Sequence, residues 1–393
     1  MIQALSPRLL ALAPLLALLG AACAAPPPAV LPSVEARPPS PFPAREVVFT
    51  RPHDEGTGNH IRKLQELLSQ AAPGSEVRVA VFLFDHEDLI EAFAAARRRG
   101  VRIHAIASEI SWWHEGRLRS ALEARGEEPR VFVFPGGMGK KNHNKFAVFS
   151  ELHRGGERVR DVVFLSSGNF TRASLRKHQN TLVLVDGELY RAYQAYWADL
   201  VEAGLQRRRQ PDYYRSAAGD DASTRVYFFP REEGGDTMTE ILGRVSAEGD
   251  ERPASIRVAM ARWRRGRMEI AQRLCELHAA GTDVQVVTRS ASRLADTGVD
   301  PEVLRKLRGC GVRLMELPKN RVNLHSKYVL VDAPYERHGE TERRRVVWTG
   351  SPNFTTAALR RNDEALLEIE DPHLYERYRA NFDELVQEWQ ALD

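Results

Sequence analysis

The chain has 393 residues, of which 43% are hydrophobic and 28% are charged, the proportions of a globular protein long enough for two ordinary domains. Its formal net charge is only +3, which excludes a strong overall positive field of the kind that draws nucleic acid to a protein. Three cysteines are too few for a disulfide scaffold.

Residues 1–25 predict an export signal and not a part of the fold. Arg8 precedes an apolar stretch over residues 9–22, which is too short for a stable transmembrane helix. The small residues around Cys23 resemble a bacterial lipoprotein signal, in which Cys23 is lipidated, although ordinary signal cleavage fits them too. Residues 26–44 predict a proline-rich tether. We therefore expect an exported protein, either secreted or lipid-anchored at the bacterial cell envelope.

The first half, residues 45–206, predicts strands that alternate with helices. Residues 47–49 open it with a strand-like run. Apolar runs typical of buried strands cover residues 77–84, 101–106, 131–134, 146–149 and 162–165. Helical spacing of apolar residues covers residues 61–68, 89–99 and 118–125.

The second half, residues 225–393, repeats this order. Its strands are predicted over residues 226–228, 256–260, 284–288, 312–317, 328–331 and 346–348, and its helices over residues 268–280 and 301–307. The polar segment 207–224 is predicted to link the halves. The alternation indicates an α/β fold with two similar halves, each a mixed, largely parallel sheet flanked by helices.

Two cysteines remain after removal of the signal. Cys275 lies in an apolar helical pattern and is predicted to be a buried helix residue. It could pair with Cys310 in an oxidising compartment, but the sequence leaves open whether the two side chains meet.

A set of polar residues occurs twice along the chain, as His143, Lys145, Ser167 and Asn169 and again as His325, Lys327, Ser351 and Asn353. The histidines lie 182 residues apart (325 − 143) and the asparagines 184 (353 − 169). A nearly constant offset marks a duplicated structural unit. We therefore expect one site that is assembled from two halves.

The chemistry of this set suits a phosphodiester. A histidine and a lysine two residues apart on an extended segment project from the same face, so both can reach one ligand. Lysine and asparagine can bind non-bridging phosphate oxygens, while histidine can attack phosphorus or protonate a leaving alkoxide. Turn chemistry is the alternative explanation for the asparagines. Neither motif contains a carboxylate or Cys/His cluster, so we expect no metal and no cofactor.

The doubled pattern His-x-Lys-x4-Asp followed by Gly-Ser-x-Asn resembles the phospholipase D superfamily, from about residue 45 to residue 393. The resemblance implies two α/β halves packed about a pseudo-two-fold axis, with both half-sites in one monomeric chain. It also implies a metal-independent, two-step displacement through a phosphohistidine. The catalytic side chains carried over are His143, Lys145, Asn169, His325, Lys327, Asn353 and Glu364. Ser167 and Ser351 are expected to bind the substrate phosphate, and Asp332 is expected to be a structural motif residue.

The division of labour between the histidines follows from the same resemblance. Glu364 resembles a family carboxylate that orients the histidine of its own half, which would be His325. In the first half the matching position is Asn180, and the motif aspartate is replaced by Ser150. A carboxylate-supported histidine suits a general acid, so we expect His143 to attack and His325 to act as acid and then base.

The expected substrate is phospholipid, which the enzyme would hydrolyse to phosphatidate and head group at a membrane surface. Trp112, Trp113 and Trp263 suit an interfacial surface, with core packing as the alternative. A rival function is an exported endonuclease that uses the arginine runs 97–99, 207–209 and 343–345 as a phosphate track, with nucleic acid as its partner. A transphosphatidylating lipid synthase is another alternative. A non-enzymatic phosphate- or lipid-binding module would rest on Ser150 and Asn180.

Overall fold

The computed structural model describes residues 44–52, 56–124, 127–247, 252–292, 298–337 and 339–392. The predicted export signal, Cys23 and nearly all of the proline-rich tether lie outside the described residues. Within the described ranges, no helix is both long enough and apolar enough to cross a membrane. The two halves belong to one compact unit, Ser40–Asp393.

The first half follows the predicted alternation of strands and helices. In chain order its elements are β1 (Arg45–Thr50), α1 (Asn59–Gln70), β2 (Glu76–Phe84), α2 (Glu87–Arg98), β3 (Arg102–Ile110), α3 (Trp112–Leu122), β4 (Val131–Val133), β5 (Lys145–Arg154), β6 (Glu157–Ser166), β7 (Gln179–Val185) and α4 (Gly187–Gln206). The strands form one sheet in the order β1-β7-β6-β5-β2-β3-β4.

The second half repeats these elements. They are β8 (Arg215–Ala218), β9 (Thr224–Phe228), α5 (Thr237–Gly243), β10 (Ser255–Met260), α6 (Met268–Ala279), β11 (Asp283–Arg289), α7 (Pro301–Gly309), β12 (Arg313–Leu317), β13 (Lys327–Arg337), β14 (Glu340–Gly350), β15 (Ala365–Glu370) and α8 (Pro372–Gln390). The sheet order is β12-β11-β10-β13-β14-β15-β9-β8. Without β8 this is the order of the first sheet, so the duplication is confirmed. β8 lies inside segment 207–224, which therefore links the halves and also supplies an edge strand.

Both sheets are mixed, as predicted, but the expectation that they are largely parallel is wrong. Only β2-β3-β4 and β10-β11-β12 pair in parallel, and the remaining neighbours pair antiparallel. The reason is that each motif strand folds back on the next through a tight hairpin. Gly155 and Gly156 both have positive φ between β5 and β6, which is the backbone that a two-residue hairpin turn requires.

Aromatic side chains join the two halves. Phe49 of β1 packs edge-on against Tyr378 of α8, with ring centroids 5.2 Å apart, and Tyr196 of α4 stacks on Phe228 of β9 at 4.3 Å. All four rings belong to one buried cluster. Aromatic pairs contribute about 0.5–1.5 kcal/mol beyond their buried area. The halves therefore cannot separate without exposing this shared core, which holds the two motifs in a fixed relation.

The structure answers two questions that the sequence left open, and both concern residues outside the motifs. Cys275 of α6 forms a disulfide with Cys310, and its side chain is also buried as predicted. Trp263 is fully buried, packs edge-on against Phe354 at 4.9 Å and therefore belongs to the core. Trp112 and Trp113 differ, since they are 82% and 53% exposed in the first turn of α3.

Candidate active site

One cleft of about 570 Å³ brings the two motifs together. Its lining includes His143 and Asn169 from the first half and His325 and Asn353 from the second half. Each histidine comes directly before a central strand, β5 or β13, and each asparagine follows the next strand, β6 or β14. Because the two sheets have the same strand order, two equivalent sets of side chains lie in this cleft.

Backbone hydrogen bonds between the halves fix both histidine segments. The backbone N–H of His143 donates to the carbonyl of Asp363 at 2.9 Å, and that of His325 donates to the carbonyl of His178 at the same distance. In return, Asp363 N–H donates to the carbonyl of Lys141, and His178 N–H donates to the carbonyl of Asn323. The exchange is reciprocal, so each histidine is held by the half to which it does not belong.

The side-chain partner of each histidine also comes from the opposite half. Nδ1 of His143 lies 2.9 Å from Oε2 of Glu364, while Nδ1 of His325 lies 2.8 Å from Oε1 of Gln179. The prediction that Glu364 orients the histidine of its own half is therefore wrong. The partner predicted for His143, Asn180, instead accepts the backbone N–H of Lys327 at 2.9 Å.

The second half has one more residue than the first half between its asparagine and Glu364, and this extra residue explains why Asn180 was matched to Glu364. Glu364 lies 11 residues after Asn353 (364 − 353), whereas Gln179 lies 10 residues after Asn169 (179 − 169). The extra residue coincides with a π-helical turn at Ala357–Arg361, the form in which helices accommodate such insertions. Gln179, and not Asn180, is consequently the structural equivalent of Glu364.

Both motif lysines are buried beside the histidines. Nζ of Lys327 donates to the carbonyl of His325 at 2.8 Å, and Lys145 makes the equivalent bond to the carbonyl of His143. Burial lowers the pKa of Lys145 to about 7. The pKa of Lys327 is held well below its usual value by burial and by the charge of Lys145. A bound phosphate anion would oppose both effects and favour the protonated lysines.

The histidines are neutral in the free cleft at neutral pH. Burial lowers the pKa of His143 to about 4, although the charge of Glu364 acts in the opposite direction. Burial and the charge of Lys327 hold the pKa of His325 well below its usual value. A carboxylate can only accept, so Nδ1 of His143 carries the proton. Nδ1 of His325 lies 2.8 Å from the oxygen of Gln179 and 3.1 Å from Nζ of Lys327, and we assign its proton to Nδ1 from the shorter contact. Nε2 is then the free nitrogen of each ring.

The asparagines and serines of the motifs behave differently. The buried Oδ1 atoms of Asn169 and Asn353 have no hydrogen-bond partner among the described residues, and an unpaired buried polar group is costly. These oxygens can accept a hydrogen bond from a ligand donor, whereas a phosphate oxygen would need the NH₂ groups of the same amides. Ser167 instead donates to Gln179 at 3.0 Å, and Ser351 accepts the backbone N–H of Ala365 at 3.2 Å. The described cleft lining leaves out both serines, and their contact with phosphate stays a prediction.

The motif aspartate and its replacement lie on the strands, away from the cleft lining. Asp332 forms ion pairs with Arg343 at 2.6 Å and with Arg345 at 3.1 Å. Ser150 accepts the backbone N–H of Glu76 at 2.8 Å. Both contacts tie neighbouring strands together, which agrees with the structural role expected for Asp332.

Asp363 and Gln179 were missed by the sequence analysis. The buried carboxylate of Asp363 accepts the backbone N–H groups of Gly137, at 2.7 Å, and Gly139, and burial raises its pKa to about 7. A Cβ on Gly139 would lie 2.6 Å from the backbone nitrogen of Asp363, so this approach requires glycine. The glycine run before His143 was the feature of the sequence that could have indicated this close backbone contact.

The cleft is basic. Besides the motif residues, the cationic side chains in its lining are Lys140, Lys141, Lys177, Arg262, Arg289 and Lys319. The described lining includes none of the three arginine runs that were proposed as a phosphate track. Among the described residues, no group of three or more His, Cys, Asp and Glu side chains is arranged to hold a metal ion.

Comparisons with known proteins agree with this arrangement. The family model described as the PLD-like domain of cardiolipin synthase matches the chain twice, over residues 64–201 and 251–386. A mitochondrial cardiolipin hydrolase of Danio rerio is 29% identical over 126 residues, which are 32% of this chain and 48% of that protein. The chain thus spans about half the length of this curated relative.

Two solved structures share the fold. A phosphatidylserine synthase of Haemophilus influenzae has a TM-score of 0.58 at 12% identity, over 88% of this chain and 85% of that chain. A polyphosphate kinase of Porphyromonas gingivalis has a TM-score of 0.54 at 15% identity, over 87% of this chain and 50% of that chain. These identities support likeness of fold alone. The family model, however, matches more than half of the chain in two copies that each contain one His-x-Lys motif. The chain belongs to the phospholipase D superfamily of phosphodiester-acting enzymes.

Proposed function

We propose that the protein is an exported phospholipase D-type enzyme that hydrolyses phospholipid to phosphatidate and the free head group. The observation that carries the proposal is the convergence of His143 and His325, each with its buried lysine, in one cleft. Two histidines let one side chain attack phosphorus while the other transfers the proton. The proposed reaction uses no metal ion.

In the first step, Nε2 of His143 forms a bond to phosphorus and the bond to the head-group oxygen breaks. The departing oxygen takes a proton from Nε2 of His325, whose pKa rises when the anionic substrate binds. In the second step His325 takes a proton from water, the water oxygen bonds to phosphorus, and the phosphorus–nitrogen bond breaks. Phosphatidate leaves and His143 is regenerated.

The assignment of His143 as nucleophile is kept on a new ground. Glu364 was expected beside His325, whereas its carboxylate lies beside His143. A carboxylate at Nδ1 stabilises the positive charge that develops on the ring as Nε2 attacks phosphorus. The neutral amide of Gln179 leaves protonated His325 the stronger acid, which suits proton donation to the leaving group.

Lipid is the proposed substrate for three reasons. The matched family and the curated relative are both named for cardiolipin, a phospholipid. Trp112 and Trp113 place exposed aromatic surface on α3, as membrane-interface proteins do. The Cys275–Cys310 disulfide favours an oxidising compartment outside the cytoplasm. We therefore propose an exported monomer that acts at a membrane surface, with Cys23 as the candidate lipid anchor.

One observation favours the alternative of an exported endonuclease. The cleft carries more cations than a single phosphodiester requires, and consecutive phosphates of a nucleic acid could occupy them. A transphosphatidylating synthase would use the same first step and replace water with an alcohol.

A side-by-side assay tests the proposal. The purified mature chain is incubated in excess chelator with phosphatidylcholine vesicles and with plasmid DNA, and a His143→Ala variant serves as the inactive control. We expect choline release from the vesicles to exceed DNA cleavage. Efficient DNA cleavage that falls steeply with salt would replace the proposal with the nuclease. Activity restored only by added calcium or magnesium would contradict the metal-free mechanism.

A further inference from the structure

Three cations line the cleft next to His325 and belong to neither motif: Lys177, Arg289 and Lys319. We call them the His325-side cluster. Nε of Arg289 donates to the carbonyl of Leu324 at 2.6 Å, next to His325 in the chain. Lys177 directly precedes His178, whose carbonyl accepts the backbone N–H of His325. Arg289 and Lys177 are therefore attached to the segments that hold His325, and Lys319 lines the same cleft.

The described residues place no carboxylate against the charges of this cluster. Within the described parts of the chain, no carboxylate lies within ion-pair distance of Lys177, Arg289 or Lys319. Lys141, another cation of the cleft lining, differs because it pairs with Glu109 at 2.9 Å. Arg289 is 3% exposed, and a buried cation without a counter-charge is costly. We therefore expect the cluster to bind an anion that is not part of the protein.

All three side chains line the same cleft, so their charges face the same bound ligand. The pKa of Lys177 is lowered by burial and then by the charges of Arg289 and Lys319. Burial lowers the pKa of Arg289 to about 10. The charges of Lys177 and Arg289 also contribute to the lowered pKa of His325. A phosphate bound in the cluster would relieve these repulsions and favour the protonated form of His325.

The reacting phosphate does not need these cations. Lys145 and Lys327 already lie beside the two histidines and can offset its charge. If His325 protonates the leaving oxygen, then the leaving group lies on the side of the cleft that carries the cluster. We propose that Lys177, Arg289 and Lys319 form a second anion subsite, which binds a phosphate group carried by the departing head group. The inference rests on the proposed function, and it identifies the favoured substrates as phospholipids with a phosphorylated head group.

A lipid is favoured over a nucleic acid as the source of this phosphate. A second groove shares Leu83, Glu109, Asn169 and Lys177 with the cleft and reaches Ser111, the N-cap of α3, and His114 in its first turn. That turn also carries the two exposed tryptophans. The groove thus connects the cleft to the surface best suited to a bilayer.

The test compares two lipids that differ by one phosphate, phosphatidylglycerol and phosphatidylglycerol phosphate, in phosphate-free detergent micelles. Released glycerol and glycerol phosphate are measured by mass spectrometry. The test variant is the mature chain with Lys177→Gln and Lys319→Gln. Its control carries Arg305→Gln and Lys306→Gln, which remove two exposed charges from α7 outside the described cleft lining. Bis(4-nitrophenyl) phosphate, a soluble diester, reports the histidine chemistry alone.

We expect the wild-type kcat/KM to favour the phosphorylated head group by at least about tenfold, since a charge-assisted phosphate contact is among the stronger polar interactions. The Lys177/Lys319 variant should reduce this ratio to about one, and the control should retain it. An unchanged melting temperature establishes that the variant is folded.

The other possible outcomes show which of the two proposals fails, the second subsite or the phospholipase function. If the wild type cleaves both lipids equally, or if the test variant keeps the wild-type preference, the second subsite is overturned while the phospholipase remains. If neither lipid is cleaved but the soluble diester is, the proposed function fails. If single-stranded DNA is cleaved instead, and the loss of Lys177 and Lys319 slows that cleavage, the cluster serves a nucleic-acid phosphate and the lipid assignment is overturned.

Discussion

At the scale of single residues, the two half-sites differ by one functional group at each histidine. Glu364 presents a carboxylate to His143, and Gln179 presents an amide of similar shape to His325. Because the backbone contacts of the two histidines are reciprocal, this exchange changes the chemistry of the side-chain partner and not the position of the histidine backbone. It gives two chemically similar side chains different tasks.

The variant Glu364→Gln tests this difference. The charge of Glu364 raises the pKa of His143, so its removal should lower that pKa and weaken the nucleophile. We expect kcat/KM on a soluble diester to fall by up to roughly 10⁴-fold, as when a catalytic histidine loses its carboxylate partner. The reciprocal change, Gln179→Glu, should raise the pKa of His325. Wild-type rates in Glu364→Gln would show that the carboxylate has no part in the reaction.

The pH dependence of kcat/KM forms a second prediction. His143 must be neutral to attack, so activity should fall as the pH drops through about 4. Lys145 must be protonated to offset the phosphate charge, and its lowered pKa means that this form is lost as the pH rises through about 7. His325 and Lys327 have lowered pKa values as well, so their loss of protons acts in the same direction.

We therefore expect an optimum on the acidic side of neutrality. The profile is measured on the soluble diester, because this substrate avoids the titration of lipid surfaces. A rate that stays constant up to pH values near the ordinary pKa of lysine would contradict the assigned state of Lys145.

At the scale of elements, periodicity in the sequence predicted most helices and central strands near the motifs. The long helices α4 and α8 and the strands β7 and β15 were missed. The proportion of parallel pairs was wrong because helix-strand alternation dominated the reasoning, although Gly155-Gly156 was a readable hairpin signal. The partners of the histidines could not be predicted, since they depend on which half faces which. A single inserted residue in the π-helical turn at Ala357–Arg361 also shifted the apparent match from Gln179 to Asn180.

Another prediction concerns the two exposed tryptophans in the first turn of α3. If Trp112 and Trp113 contact the bilayer, replacing both with serine should weaken binding to phospholipid vesicles by about tenfold or more, because each buried aromatic contributes roughly 1.5–3 kcal/mol. Binding is measured by vesicle sedimentation. Leu205→Ser is the matched control, since Leu205 is 65% exposed on α4. Equal binding of the double variant and the wild type would remove α3 from the membrane surface.

At the scale of the whole molecule, duplication explains why one chain can hold a complete site. Two sheets of the same strand order bring their motifs to one cleft, and an aromatic core shared by both halves fixes the distance between them. The family was readable from the sequence because the motifs repeat at a domain-sized offset, and the motif histidines and asparagines do line one cleft. How the two halves contribute partners to each other's histidines could be seen only in the structure.

The central claim is that the two halves form one site, in which His143 attacks phosphorus and His325 transfers protons. Its most direct test is rapid quenching of a His325→Ala variant mixed with lipid labelled at phosphorus, followed by peptide mapping. Replacing either histidine should lower the rate by roughly three orders of magnitude or more, but only the nucleophile's loss should abolish the covalent intermediate. We predict label on His143 in the His325→Ala variant and none in His143→Ala. Label on His325 in the His143→Ala variant would contradict the assignment.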